Sequence, residues 1–555
     1  MKQVILSLFL CFILLPSMDA QQTVGLFVND SLSQNGYTFW TSRQSSWLID
    51  NCGHLVNKWD HDLRPGLSAY LLENGNLIRA GIFNEFFFGP GSGGVIQEFD
   101  WDGNLLWSYQ VANTNFKQHH DIEPLPNGNI LLIAWERKSP SEVSDAGSSK
   151  VTEYWSEMIL ELEKVGTNDA RIVWKWHLWD HLVQDFDETK ENYGVVSDHP
   201  ELLDINYIRP SSNGFGAGNW FHFNSIDYDS FRDEIILSSR TMNEIYIIDH
   251  STSIAEAASH SGGIKGKGGD LLYRWGNPEA YRAGSPADQK LFGQHNPEVV
   301  PEGLPGAGNI TIFNNGHERP AGSFSSIEEI VPPRDEDGNY VLTPGTSFKP
   351  DAPSWQYFAD PPESFYAINI SGVQRMPNGN TLICDGVYAR FFEVNKASEI
   401  VWDYVSPVGI SGLIVQGTTG GDGARQNVFR ARKYLPDFPG FTNKDMTPGE
   451  VIELEPWTSD CEIYEEVVSS NIEIQKLDGI SIAQDFNNQF LLIDNNSKEE
   501  LILQMFDLRS QLFASQKIPN GESKIDLFHF PPAMYIVLLT DSSNGKYYAK
   551  KISKN

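Results

Sequence analysis

Four cysteines in 555 residues are too few for a disulfide scaffold, and three remain once the expected leader is removed. Those three are Cys52, Cys384 and Cys461, an odd set whose pairing the sequence leaves open. A Cys52–Cys461 bridge, one option, would join the first and last parts of the main domain. Positive charge is also scarce: 41 Lys and Arg stand against 73 Asp and Glu, for a formal net charge of -32. Such a surface repels phosphate backbones and anionic lipid heads, which excludes nucleic-acid binding by the whole molecule. An anionic ligand would need a local pocket of positive charge, so each internal Arg or His carries more information than usual. Long apolar runs are missing but for one, Val4 to Leu15 after Met1-Lys2-Gln3. It is too short to span a bilayer and reads as a signal peptide, residues 1–20, cleaved after Ala20, although Met18 is larger than the usual residue at that position. Cys11 lies inside the run behind bulky Leu10, which argues against a lipid anchor. No transmembrane segment is expected, and the mature protein is expected to be soluble and exported.

What is present is a repeat. Leu71-Leu72-Glu73-Asn74-Gly75-Asn76-Leu77-Ile78 returns around Asn127-Gly128-Asn129 and Asn378-Gly379-Asn380, and more loosely at Gly308-Asn309-Ile310. Asn-Gly between apolar runs is a strong hairpin signal. Second hairpins follow, running from Val95–Phe99 to Trp107, from Met158–Leu162 to Trp174 and from Phe391–Val394 to Trp402. The unit is four strands ending in Trp, and these tryptophans are expected to be core. Four-stranded units in series predict an all-β fold, a β-propeller of about six blades over residues 21–458. Insertions at 138–149, 179–218, 254–269 and 332–362 enlarge the blades, and loops of that length often carry function. After a linker at 459–470, short alternating strands predict a small C-terminal β-sandwich at 471–555.

The segment from Trp220-Phe221-His222-Phe223-Asn224 to Ser238-Ser239-Arg240 reads as a hairpin centred near Phe231. Antiparallel pairing about that point sets His222, nine residues before it, opposite Arg240, nine after it. Aligning the repeats by their turns supplies an internal control. Seven residues before the first turn Asn stands His120 in one repeat, but Leu67 and Ser371 in two others. A His there is not something the repeat requires. His222 and His295 fall at comparable strand ends, so His120, His222 and His295 should meet at one mouth with Arg240 and Asn224. His317 and Arg319 are candidates for the same mouth. A set of His, Arg and Asn can grip a tetrahedral anion.

The last stretch, Met534-Tyr535-Ile536-Val537 and then Asn544-Gly545-Lys546-Tyr547 to Ile552, resembles the C-terminal sorting domain of the type IX secretion system of Bacteroidetes. That resemblance implies export across the outer membrane with the secretion machinery as partner. His-Asp ahead of Pro-Asn-Gly-Asn, Trp-x-His-x-Asn-Ser with Ser-Ser-Arg downstream, Gly-Gln-His and Phe-x-Asn-Gly together resemble the bacterial arylsulfotransferase family between Gly53 and Tyr434. The resemblance implies sulfuryl transfer from a phenolic sulfate ester to a phenol through a sulfohistidine, with small phenols as partners and no nucleotide donor. His295 would then be the nucleophile, with roles at the site for His120, His222, Asn224 and Arg240. Trp220 and Phe221 are available to flank an aryl ring. No metal or other cofactor is required. A metal at these histidines is disfavoured by the nearby Arg240. Two other readings stay open: a non-catalytic exported propeller that binds sulfated or anionic glycans, and a hydrolase with water as acceptor.

Overall fold

The Asn-Gly-Asn turns fold because Gly75, Gly128 and Gly379 take φ of +85°, +85° and +89°, a left-handed backbone that costs glycine little. In the computed structural model each joins the first two strands of an antiparallel sheet. The structure describes residues 22–554, apart from 87–88, 208–217, 419–424, 458–459, 465–479, 485–489, 497–500, 508–511, 528–532 and 541–546. The expected leader and the Asn544–Lys546 part of the terminal motif lie outside the described residues. The chain divides into two compact units, ending and beginning at Ile463 and Tyr464.

The first unit is nearly all-β, as the repeats predict. Its described residues hold six antiparallel sheets of four or five strands in chain order, beside two small two-stranded ones. Sheet I pairs Ala431–Tyr434 with Tyr37–Ser42, followed by Ser45–Ile49 and Leu55–Asp60. Sheet II begins at Pro65–Leu71, sheet III at Phe116–Pro124, sheet IV at Phe223–Asp229, sheet V at His295–Val299 and sheet VI at Gly372–Arg375. These first strands touch in order from II to VI and on to Ala431–Tyr434, and the Tyr434 hydroxyl accepts the Leu71 N–H at 2.9 Å, which closes the cycle. The apolar core is likewise in six pieces, each between successive sheets, as with Phe39, Trp59, Leu77 and Phe99 between I and II. Sheet VI gains a fifth strand, Gly25–Asn29, on Ile400–Val405. The ends of the unit are therefore tied twice by pairing, and a third time by a Cys52–Cys461 disulfide with Cα atoms 5.7 Å apart.

The tryptophans do more than fill space. Trp59, Trp107, Trp174, Trp275 and Trp402 lie on the fourth strand of five sheets, and each indole N–H donates to the following sheet's outer loop: to Asp100, Asp169, Thr252, Pro350 and Asn51. A second device recurs beside the turns. The side chains of Asn76, Asn129, Asn309 and Asn380 donate to Glu98, Glu161, Glu329 and Glu393 on the third strand of the same sheet. Each of those carboxylates also meets a cation of the next sheet, Lys164, His250, Arg375 or Lys433. One Glu thus satisfies its own hairpin and latches its neighbour. His250, which the sequence offers no reason to single out, sits between Glu161 and Asp233.

The second unit has a three-stranded sheet, Ile480–Gln484, Phe490–Asn495 and Gly521–Asp526, and a four-stranded one built on Leu501–Asp507 and Ala533–Thr540. Leu491, Ile493, Leu503, Met505, Val537 and Leu539 share a single core. No helix among the described residues is long and apolar enough to cross a membrane.

Candidate active site

The site is made by kinks at the start of the first strands. Leu67, His120, His222, Asn296 and Ser371 have φ of +89°, +51°, +53°, +46° and +85°, left-handed at matching places in sheets II to VI. Three of them are the residues seven before the turn Asn. Register slips there in sheets II to V, and a bulge re-aims the side chains around it. In sheet IV Tyr228 pairs with Ile235 but Phe223 pairs with Ser239, so Asn224 is the extra residue. The expected opposition of His222 and Arg240 is present only because of that bulge, and the Arg240 N–H donates to the His222 carbonyl at 3.2 Å.

His120, His222, His295 and Arg240 converge. The rings of His120 and His222 are 4.7 Å apart and nearly perpendicular. All three histidines are buried, at 4%, 2% and 2% exposure. Burial, then the neighbouring imidazoles and the Arg240 cation, hold His120 and His222 well below the usual histidine range. Burial and then Arg240 do the same for His295. All three are neutral at pH 7. Arg240 is itself buried, which lowers its affinity for a proton while leaving it a cation. The Asn219 amide meets His222 Nδ1 at 2.8 Å, and the His120 ring lies against Gly91, which has no side chain to displace it.

His295 is held by Asn315. The Asn315 Nδ2 donates to the carbonyls of Ala367 and Ile370 at 2.8 and 3.0 Å, so its Oδ1 faces His295 Nδ1 at 2.8 Å as acceptor. The proton is therefore on Nδ1, and Nε2 presents a lone pair, which accepts the Ile370 N–H at 3.2 Å. Ile370 has φ +48°, uncommon for a β-branched residue. Asn224 Nδ2 donates to the carbonyl of Gln294, the residue before His295, at 2.7 Å.

His317 joins the group: a Cβ on Gly293 would meet His317 Cβ at 3.0 Å and the Arg240 guanidinium at 3.9 Å. The structure puts the other three candidates elsewhere. Arg319 lies over Phe324 and Phe292 and donates to Ser326 Oγ, a packing role. Trp220 and Phe221 belong to the core between sheets III and IV, with Phe221 against Phe223 and Tyr246. Both side chains are buried in that core, at 6% and 1% exposure, which takes them away from a ring at the mouth.

His119, Glu157 and Asn315 also belong to this neighbourhood, though no local pattern gives them a role in sulfuryl transfer. His119 stacks on Trp135 at 4.2 Å, its Nε2 lies 2.9 Å from Glu157 Oε2, and its Nδ1 lies 2.8 Å from His120 Nδ1. Asn315 was visible within Phe-x-Asn-Gly, but only the fold shows its partner. Asp121, next to His120, turns instead to Arg430 at 2.7 Å and to the Tyr70 hydroxyl. Among the described residues, the group whose ligand atoms approach closely enough for a metal ion is His181, His260 and Asp270, on the insertions that follow sheet III and interrupt sheet IV. Asp270 Oδ1 meets both rings there at 2.8 Å. A cleft of about 910 Å³ alongside, lined by Trp179, His199, Glu201 and His260, shares no residue with the histidine site.

Known proteins bear on this arrangement. The chain is 23% identical over 321 residues to the arylsulfate sulfotransferase AssT of Lelliottia amnigena, a match covering 54% of this chain. It spans about half the length of that curated relative, 50%. Among solved structures, a protein of unknown function from Bacteroides caccae aligns over 72% of this chain and 99% of its own, at 10% identity and a TM-score of 0.37. The apo AztD of Citrobacter koseri aligns over 72% and 99%, at 9% identity and a TM-score of 0.31. Scores this low say nothing about function. The arylsulfotransferase (ASST) family model matches residues 17–407, most of the chain and all of sheets II to VI up to their last strands. The chain belongs to the arylsulfotransferase family.

Proposed function

We propose that this protein is an aryl-sulfate sulfotransferase that carries the sulfuryl group on His295. The observation that carries the reading is the state of that ring: Nδ1–H tied to Asn315, the lone pair left on Nε2, and the ring kept neutral by burial and then the Arg240 cation. Nε2 attacks sulfur, the ester S–O bond breaks, and the donor leaves as a phenolate that takes a proton from a neighbouring imidazole. An acceptor phenol then gives up its proton, its oxygen attacks the sulfur, and the N–S bond breaks. The two half-reactions make the kinetics ping-pong. Arg240 steadies the sulfuryl oxygens in a sheltered site where charge interactions are strong. Before this can happen the Ile370 N–H must leave Nε2, so the Asn369–Ile370 peptide turns away as donor enters while the carbonyls of Ala367 and Ile370 keep hold of Asn315.

Six meander sheets, six core clusters and a closed cycle of first strands support a six-bladed propeller around the site. The two small sheets of the second unit support a sandwich, proposed as a sorting domain for type IX export of a secreted protein.

The test is intact mass after brief exposure to 4-nitrophenyl sulfate. One added sulfuryl group on the peptide containing Gly293–Asn296, discharged by phenol and missing in His295→Ala, is the expected result. Nitrophenolate release equal in His295→Ala would refute it. Binding of a sulfated ligand without cleavage would favour a glycan-binding role instead.

A further inference from the structure

The proposed chemistry leaves a proton unaccounted for. A departing phenolate needs one, yet His120, His222 and His295 are all held neutral by burial and by Arg240, so none stores it as an imidazolium. A store exists two residues away in contact. Sheet III carries His119 and His120 on its first strand, Trp135 on its second and Glu157 on its third. Because Trp135 is opposite Glu157, the His119 ring lies on the indole and reaches over it to the carboxyl. Glu157 Oε2, His119 Nε2, His119 Nδ1 and His120 Nδ1 then form one line of contacts, at 2.9 and 2.8 Å, through fully buried groups.

Two hydrogen-bonded arrangements satisfy that line. With Glu157 ionised, His119 donates from Nε2, His120 donates from Nδ1, and His120 Nε2 is bare. With Glu157 protonated, its O–H donates to His119 Nε2, His119 Nδ1–H donates to His120 Nδ1, and His120 Nε2 carries a proton. They differ by one proton gained at His120 Nε2 and held as charge on Glu157. No imidazolium is needed in either.

We propose that Glu157 and His119 form a proton relay serving His120, which makes His120 rather than His222 the acid and base of the reaction. The proposal rests on the sulfotransfer reading. In the first half-reaction the phenolate oxygen takes the proton from His120 Nε2. His120 Nδ1 takes one from His119 Nδ1, His119 Nε2 takes one from Glu157, and a carboxylate remains. The acceptor phenol reverses every step. Glu157 suits the task because burial raises its carboxyl well above the usual range, opposed by the backbone N–H groups of Phe223 and His222. Its Oε1 accepts the Phe223 N–H at 2.9 Å. One carboxyl therefore also ties the relay to the His222 kink. The charged and titratable groups facing the line are His119 and Glu157 on sheet III, His222 and Arg240 on sheet IV, and His295 on sheet V. Glu157 and His119 are positioning residues, since neither meets the substrate.

The experiment compares two donors in wild type, Glu157→Gln and His295→Ala. Phenyl sulfate releases a strongly basic phenolate that needs the proton, and 4-nitrophenyl sulfate releases one that hardly does. In a single turnover without acceptor, Glu157→Gln should slow phenol release from phenyl sulfate by about 10²-fold, and nitrophenolate release from 4-nitrophenyl sulfate by less than about threefold. Equal losses on both donors overturn the relay, while the His295→Ala result alone decides the sulfotransfer reading. Infrared spectra give a check independent of turnover: resting protein at pH 7 should show a protonated carboxyl band that Glu157→Gln lacks. Its absence from the wild type also overturns the relay. Thermal unfolding of Glu157→Gln, a near-isosteric change, separates loss of chemistry from loss of fold.

Discussion

The carbonyl of His222 accepts the backbone N–H of Arg240, and this contact exists because Asn224 is one residue too many in its strand. Without the bulge the pairing that sets Tyr228 opposite Ile235 would carry on and bring Thr241 to His222. Deleting Asn224 would keep His222 opposite Arg240 in a regular ladder but remove the bulge that aims their side chains, and on that ground it should abolish turnover. Asn224→Ala keeps the bulge and loses only the hydrogen bond to Gln294, so it should cost about tenfold. Initial rates of the two variants check the difference, and equal rates would contradict it.

Gly91 is the wall behind His120. A methyl group there would sit 2.1 Å from the ring's Cε1, at a residue whose φ is already +81°. Gly91→Ala should drive the ring from its place and reduce turnover by about 10²-fold, since small displacements at reacting groups are costly. Because the neighbour that must move is a side chain, most of the fold should survive. Kinetics together with a thermal melt measure the two effects separately.

The histidines set the acid limb. The folded affinities of His120, His222 and His295 lie well below the ordinary value near 6.5, so as pH falls below about 6.5 the unfolded chain takes up protons first. Their contribution to stability is complete above that pH and is lost progressively in acid. Turnover should stay level from pH 7.5 to about 5.5, with no titration of the nucleophile, while the melting temperature declines. A rate profile with a midpoint near 6.5 would show that His295 is not shielded in this way.

His250 behaves in the opposite sense. Its hydrogen bonds to Asp233 and Glu161 outweigh burial and raise it to about 9. The stabilisation is complete below about 6.5 and disappears as pH rises through 9, a span worth up to about 3 kcal/mol. His250→Gln should melt earlier than wild type at pH 6.5, and the gap should close near pH 10. Melts at the two pH values test this.

How much of this was readable beforehand follows from how local each signal is. Asn-Gly-Asn turns and the His222 to Arg240 symmetry are properties of short segments, so they could be read directly. The internal alignment worked at Leu67, His120 and Ser371 because the kink repeats at a fixed distance from the turn. At His295 it was off by one, since Asn296 holds the left-handed position there. Trp220 and Phe221 misled because an aromatic run beside a site histidine looks like a substrate wall. Only the core between sheets III and IV explains its presence. Glu157 and His119 were beyond reach because their contact crosses the sheet over Trp135. The Cys52–Cys461 bridge spans 409 residues of sequence, and no local pattern announces such a link.

That bridge can be tested against the pairing that runs in parallel with it. Gly25–Asn29 on sheet VI and Ala431–Tyr434 on sheet I already bring both ends of the unit together through backbone hydrogen bonds. The disulfide therefore acts mainly on the unfolded chain, by restricting a very long loop, and typical values are about 2–4 kcal/mol. Reduction, or Cys52→Ser, should lower unfolding stability by that order and leave turnover at 25 °C within about twofold, because the histidine site lies on sheets III to V. Cys384 is buried, and burial pushes its thiol up, so it should not exchange into the bridge. Denaturant unfolding with and without reductant, with rates measured on the same samples, is the check. Loss of activity in step with reduction would mean that the disulfide reaches the site.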